Sequence, residues 1–226
     1  MPFSPTRYGG SASVLTSNFL PSSFKMTIVI CPGIHDSKLT EQFLEGLFVH
    51  WQSLSQSGEL LICPTQDYSP YSAIDILNFL WIKNQLTKNV PLLFIAFSAG
   101  VVGAVGAAWG WQLRGGQVKA FVAIDGWGMP VEGNFPIYKV SHDYFTHWSW
   151  GLLGTVDESF YAHPSVEHLE IWRSPQTTTG WWLHQNSIEV KTASPVTAAE
   201  FIRIILENYG ELSTFSDGEV CSIINN

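Results

Sequence analysis

Residues 90–111 read VPLLFIAFSAGVVGAVGAAWGW, without a charged position. The pattern changes along the run. Residues 91–97 form a short apolar block, the composition of a strand buried on both faces of a parallel sheet. Ser98-Ala99-Gly100 reads as a sharp turn. From residue 101 the pattern becomes a helix whose near side is cut down by Gly103, Ala104, Gly106 and Ala107. By hydropathy alone the run is long enough to span a membrane. Pro91, the helix-weakening glycines and the lack of a second such run favour a strand, a turn and a helix, without stable membrane insertion.

The rest of the chain alternates in the same way. Residues 26–31 (MTIVIC) predict a buried strand broken by Pro32-Gly33. A helix is expected over 39–54, with Phe43, Leu44, Leu47, Phe48 and Trp51 at helical spacing. Residues 59–63 predict a second strand. Ser69-Pro70 opens another helix, proline being tolerated at the first helical position. Beyond the central stretch, strands are expected at 118–124, 135–140 and 166–172. Helices are expected at about 150–161 and from Ser194-Pro195 to about 208. Residues 175–185 read as a loop. About six strands alternating with helices imply an α/β fold, a mostly parallel sheet with helices on both faces and right-handed crossovers. Residues 1–25 read as a flexible arm without the apolar core of a signal peptide. Residues 26–209 read as one domain, and 210–226 as a polar tail.

Composition narrows the function classes. Hydrophobic residues make up 46% and charged residues 13%, so the chain can build a core. A net charge of −8 argues against a nucleic-acid partner, which needs clustered Lys and Arg. Cys31, Cys63 and Cys221 make no disulfide framework and read as thiols of a reducing compartment, hence a cytoplasmic location. The histidines show no HExxH or Cys-paired spacing, and there is no Walker loop or strand-borne GxGxxG, so no metal and no cofactor is expected.

A strand, a serine on a tight turn and a small-residue helix make a nucleophile elbow. The A-F-S-A-G of residues 96–100 resembles the G-x-S-x-G of the α/β-hydrolase family, with Ala96 in place of the first glycine. The resemblance covers roughly residues 26–208 and implies a compact, cap-less serine esterase, lipase or thioesterase. The family's chain order is nucleophile, acid, histidine. It implies Ser98 as nucleophile. It implies Asp143, after the 135–140 strand, as acid, with Asp125 as the alternative, and His184, before the last helix, as base. His142, His147, His163 and His168 compete with His184 but lie elsewhere in that order. The oxyanion donors would be the backbone N–H of Ala99 and of the Gly33-Ile34 loop, each worth about 3 kcal/mol in the transition state.

Each residue has a plainer reading: a turn serine, a turn aspartate bonding its own backbone, a surface histidine. Aromatics crowd the expected site, among them Phe97, Trp127, Tyr144 and Trp181, and residues 144–153 could form a small lid. Such a pocket suits a small-molecule ester or thioester with an apolar group. The functional expectation is therefore an acyl-enzyme serine hydrolase. An acyltransferase would use the same triad. A non-catalytic binding protein on the same fold is the third reading, motivated by Ala96 and by the lack of a Gly-rich oxyanion motif.

Overall fold

The computed structural model describes residues 26–126, 128–154, 156–186, 189–192 and 195–209. The expected arm (1–25), the tail from 210, Ser194 and Trp127 lie outside the described residues. The sheet begins with β1 (Thr27–Cys31), β2 (Leu60–Ile62), β3 (Leu92–Phe97), β4 (Val118–Ile124), β5 (Ile137–Ser141) and β6 (Glu158–Ala162). It is completed by β7 (Thr179–Asn186), β8 (Glu189–Thr192) and β9 (Val196–Thr197). Their order is β2-β1-β3-β4-β5-β6-β7-β8, with β9 pairing β7. Pairings from β2 through β6 are parallel, and those of β7 are antiparallel. The helices are α1 (Ser37–Leu47), α2 (Trp51–Gln56), α3 (Ala73–Asn78), α4 (Ala99–Leu113), α5 (Tyr144–Gly151), α6 (Glu170–Arg173) and α7 (Ala198–Asn208). A π-helical turn, Phe79–Lys83, continues α3. This is an α/β-hydrolase-like fold.

Strand periodicity divides the core in two. Along β3, Leu93, Ile95 and Phe97 face the layer of α1, α6 and α7, and Leu92, Phe94 and Ala96 face α3 and α4. All six are fully buried, so the strand reads as a continuous apolar run rather than an alternating one. The suspected membrane run is β3 joined to α4, and no helix among the described residues is long and apolar enough to cross a membrane.

Four expectations are corrected. Residues 166–172 are not a strand. Ile171 and Trp172 belong to the short helix α6, and Trp172 stacks on Phe43 of α1 at 3.7 Å. A two-residue apolar pair fits one helical turn as well as a strand, and periodicity cannot separate them. The last parallel strand is β6, within the stretch expected to be helical. Residues 175–185 are not a loop, since most of them form β7, antiparallel to β6. The helix expected over 39–54 is two helices, α1 and α2, separated at 48–50.

Candidate active site

The turn after β3 places Ser98. Its φ of 51° and ψ of −122° are a backbone region that costs a non-glycine residue free energy. The Ser98 N–H donates to Ile124 O at 2.9 Å, tying the turn to the end of β4. Gly100 is required because a Cβ there would collide with the carbonyls of Cys31 and Pro32. Ala96 is tolerated because its side chain packs inside the core on the α4 face. Ala99 is the first residue of α4, where backbone N–H groups have no intrahelical acceptor. Gly33 lies directly against the turn. A Cβ on it would approach Ser98 Cβ to 3.0 Å and Phe97 O to 3.1 Å. Ile34 follows with its side chain exposed. These positions suit the expected oxyanion role of Ala99 and the Gly33-Ile34 loop.

The histidine beside Ser98 is His168. Its Nε2 accepts from Ser98 Oγ at 3.1 Å. It lies in the connection between β6 and α6, and its ring stacks on Phe97 at 4.8 Å. Phe97 stacks in turn on Trp172 at 4.9 Å. The His168 ring is thus held by a column of buried aromatics. Phe97, expected to line the pocket, instead supports His168 from below. His35 tilts over the same Phe97 and Trp172 rings, and burial lowers its pKa.

The carboxylate behind His168 is Asp125, at the end of β4. His168 Nδ1 donates to Asp125 Oδ2 at 2.9 Å. Asp125 is 4% exposed and sits at φ 49°, which aspartate tolerates better than most residues. Its carboxylate also accepts from the backbone N–H of His142 on Oδ1 at 2.9 Å and from His142 Nδ1 on Oδ2 at 2.8 Å. A ring nitrogen facing a carboxylate must carry the proton, so His168 is protonated at Nδ1 and free to accept at Nε2.

Asp143 does other work. It is the N-cap of α5, its Oδ1 accepting from Thr146 N at 2.6 Å, and its Oδ2 lies 3.6 Å from His142 Nε2. Its pKa is lowered, burial opposing the Thr146 hydrogen bonds and the neighbouring His142. His184 lies in β7, its backbone registered between Glu158 and Lys191, and its side chain is outside the described residues. Tyr144 is exposed beside His147 and Tyr161. Trp181, in β7, is half-buried near His163.

Ser98, Asp125, His142, Asp143, Phe145, Thr146 and His168 line a cleft of about 500 Å³. Asp125, His168 and His142 come from the carboxyl ends of β4, β6 and β5, next to Ser98 at the end of β3, where ligands bind in such sheets. One wall is α5, anchored from beneath by Lys139. Its Nζ donates to Trp150 O at 3.1 Å and Leu153 O at 2.6 Å. Burial pulls the Lys139 ammonium down to about 8.

Asp125, His142 and His168 together offer one carboxylate and two imidazole donors within 4.8 Å of one another. Both Nδ1 atoms already meet the Asp125 carboxylate in hydrogen bonds.

Sequence order alone missed His168 in part because of the strand assignment. With 166–172 taken as the last strand, His168 fell inside it. With β6 at Glu158–Ala162, the loop after the last parallel strand holds His163 and His168, and it is His168 that reaches Ser98.

No protein-family model matches this chain, and no curated protein sequence does. Among solved structures, it is similar to one described as YbtT, a type II thioesterase from the yersiniabactin NRPS/PKS biosynthetic pathway. The identity is 13%, over 69% of this chain and 90% of that one, with a TM-score of 0.44.

Proposed function

We propose that this protein is a serine hydrolase that cleaves a carboxylic ester or thioester through an acyl-enzyme on Ser98. His168 is the general base and Asp125 holds it. The observation that carries the reading is the run of two hydrogen bonds, Ser98 Oγ to His168 Nε2 at 3.1 Å and His168 Nδ1 to Asp125 Oδ2 at 2.9 Å. A serine hydroxyl is a weak nucleophile until a neighbouring base takes its proton, and this base is already in reach with the correct tautomer.

In the first half-reaction Oγ bonds to the acyl carbon as its proton passes to His168 Nε2. The Asp125 carboxylate stabilises the imidazolium that forms. The carbonyl oxygen becomes an oxyanion within reach of the Ala99 N–H and the Gly33-Ile34 loop. The oxyanion collapses, the bond to the leaving alcohol or thiol breaks, and that group takes the proton from His168. Water then attacks the acyl-enzyme, giving its proton to His168, and the acid leaves as Oγ recovers a proton. The positive φ of Ser98 and the glycine beneath it bring the hydroxyl out of the sheet toward the cleft.

A fluorophosphonate probe tests this directly. Wild-type protein is expected to be labelled, and Ser98→Ala and His168→Ala are expected to lose labelling. Labelling that survives Ser98→Ala, or a wild type inert to the probe and to activated esters, refutes the reading.

A further inference from the structure

The relay does not stop at Asp125. Two imidazoles donate to the same oxygen of this buried carboxylate, His168 at 2.9 Å and His142 at 2.8 Å, and the His142 backbone N–H takes the other oxygen. A Ser–His–Asp relay needs only one histidine at its acid. His142 does not reach Ser98. Its ring stands edge-on to His168, 5.8 Å away between centroids, and its side chain is 22% exposed at the cleft. We propose that His142 is a positioning residue and a built-in pH governor of the same site. Its Nδ1–H fixes Asp125 for His168, and its protonation slows the reaction by drawing on the negative charge that His168 needs. The proposal rests on the hydrolase reading above.

The groups facing His142 set the direction of the effect. Asp125 comes from the end of β4, Asp143 from the start of α5, and Glu167 and His168 from the β6–α6 connection. The hydrogen bond to Asp125 raises the pKa of His142 above its ordinary value, against the burial that lowers it, and Asp143 and Glu167 add to the rise. Neutral His142 donates one hydrogen bond and leaves Asp125 its full charge, so the imidazolium forming on His168 is well paired. Protonated His142 places a cation against the same oxygen. Asp125 is then shared between two positive rings, and the transition state loses part of its stabilisation. Two protonations therefore act on the acid side of the profile: one removes the base, the other weakens its support.

The test measures the rate of fluorophosphonate labelling of the full chain between about pH 5 and 8, the range in which histidines titrate, for wild type, His142→Asn and His142→Ala. Asparagine puts its amide N–H₂ near the place of Nδ1 and cannot titrate. The wild-type acid limb is expected to be steeper over part of its course than a single protonation allows, with a maximum local slope between 1 and 2. His142→Asn is expected to give a slope of 1, with labelling at pH 8 within about threefold of wild type. His142→Ala is expected to lose about ten- to a hundredfold at every pH, the worth of a hydrogen bond to a charged group. Labelling at pH 8 that is equal in wild type and His142→Ala overturns the positioning role. A wild-type limb nowhere steeper than 1, or an unchanged maximum slope in His142→Asn, overturns the governor. Both results arise in an active enzyme whose Ser98→Ala variant is dead, so they are distinct from a failure of the hydrolase reading, in which the wild type itself is inert or Ser98→Ala still labels. A thermal melt of each variant accompanies the rates. Should His142→Ala not fold, rescue by His142→Asn relative to His142→Leu decides the positioning role.

Discussion

At the scale of single residues, the Asp125 carboxylate holds the site together, because three N–H donors converge on it from outside its own turn. Asp125→Asn keeps the size of the side chain and an oxygen for the His142 backbone N–H. Its amide, however, would present N–H to His168 Nδ1. The ring would then have to accept at Nδ1 and carry its proton at Nε2, the tautomer that cannot deprotonate Ser98. The loss in kcat toward an activated ester is expected to be on the order of 10⁴-fold, with the fold retained. A loss under tenfold would show that another carboxylate orients the ring. The sequence made some of these residues legible and hid others. Ser98 stood out because an elbow demands small neighbours, and Gly100 and Ala96 supply them. Asp125 was visible as a strand-end aspartate but ranked behind Asp143, because both end strands and only distance separates an acid from a helix cap. His168 was hidden, since no local pattern distinguishes a base from a surface histidine.

At the scale of elements, what could be read followed the strength of the punctuation. Residues of β1, β3 and β4 are apolar blocks closed by Pro32, Ser98 and Asp125, and they emerged with nearly correct bounds. Strand β6 reads ESFYA, half polar and directly downstream of an aromatic-rich helix, so its five residues carried no clear period. Helix α5 is held by few of its own side chains. Tyr144, Phe145 and Trp148 are exposed, and it is fixed by the buried Trp150, whose Nε1 donates to Met129 O at 2.8 Å, by the Asp143 cap at one end and by Lys139 at the other. Lys139→Met leaves the carbonyls of Trp150 and Leu153 without that donor and is expected to cost about 1–3 kcal/mol at neutral pH. The pH dependence has a definite sign. Burial lowers the Lys139 pKa from 10.5 to about 8, so between these values the unfolded chain holds a proton that the native chain has released. Stability from this group is complete above 10.5 and is lost as the pH falls through 8. The gap between wild type and Lys139→Met, measured by urea unfolding, should therefore widen from pH 8 to 10.5, by at most about 1.4 kcal/mol per pH unit. A gap that stays flat would mean that the ammonium is not penalised by its burial.

At the scale of the whole molecule, the sheet brings together Ser98, Asp125 and His168, 27 to 70 positions apart in the chain, because parallel strands all end on the same edge; of these three, Ser98 and His168, bonded through their side chains, are the most distant pair. That edge has a charge character that bears on substrate. The net charge is −8, the cleft contains Asp125 and Asp143, and among the described residues lining it there is no Lys or Arg. An acyl group carried on an uncharged alcohol or a short thiol meets no electrostatic penalty there. An acyl group on a polyanionic thiol carrier, such as a nucleotide-phosphate thioester, approaches against the field of the protein. Raising the salt concentration shortens the reach of that field to about 10 Å at 0.1 M and about 3 Å at 1 M. The expected result is a kcat/KM for the anionic thioester that rises several-fold with ionic strength, while the value for a neutral ester with the same acyl group stays nearly constant. The comparison within one acyl group holds the acyl contacts constant, so the difference reports leaving-group charge alone. If kcat/KM for the anionic thioester instead fell with salt, a basic surface would have to receive its phosphates, and the preference for uncharged leaving groups would be wrong even with the Ser98–His168–Asp125 chemistry intact.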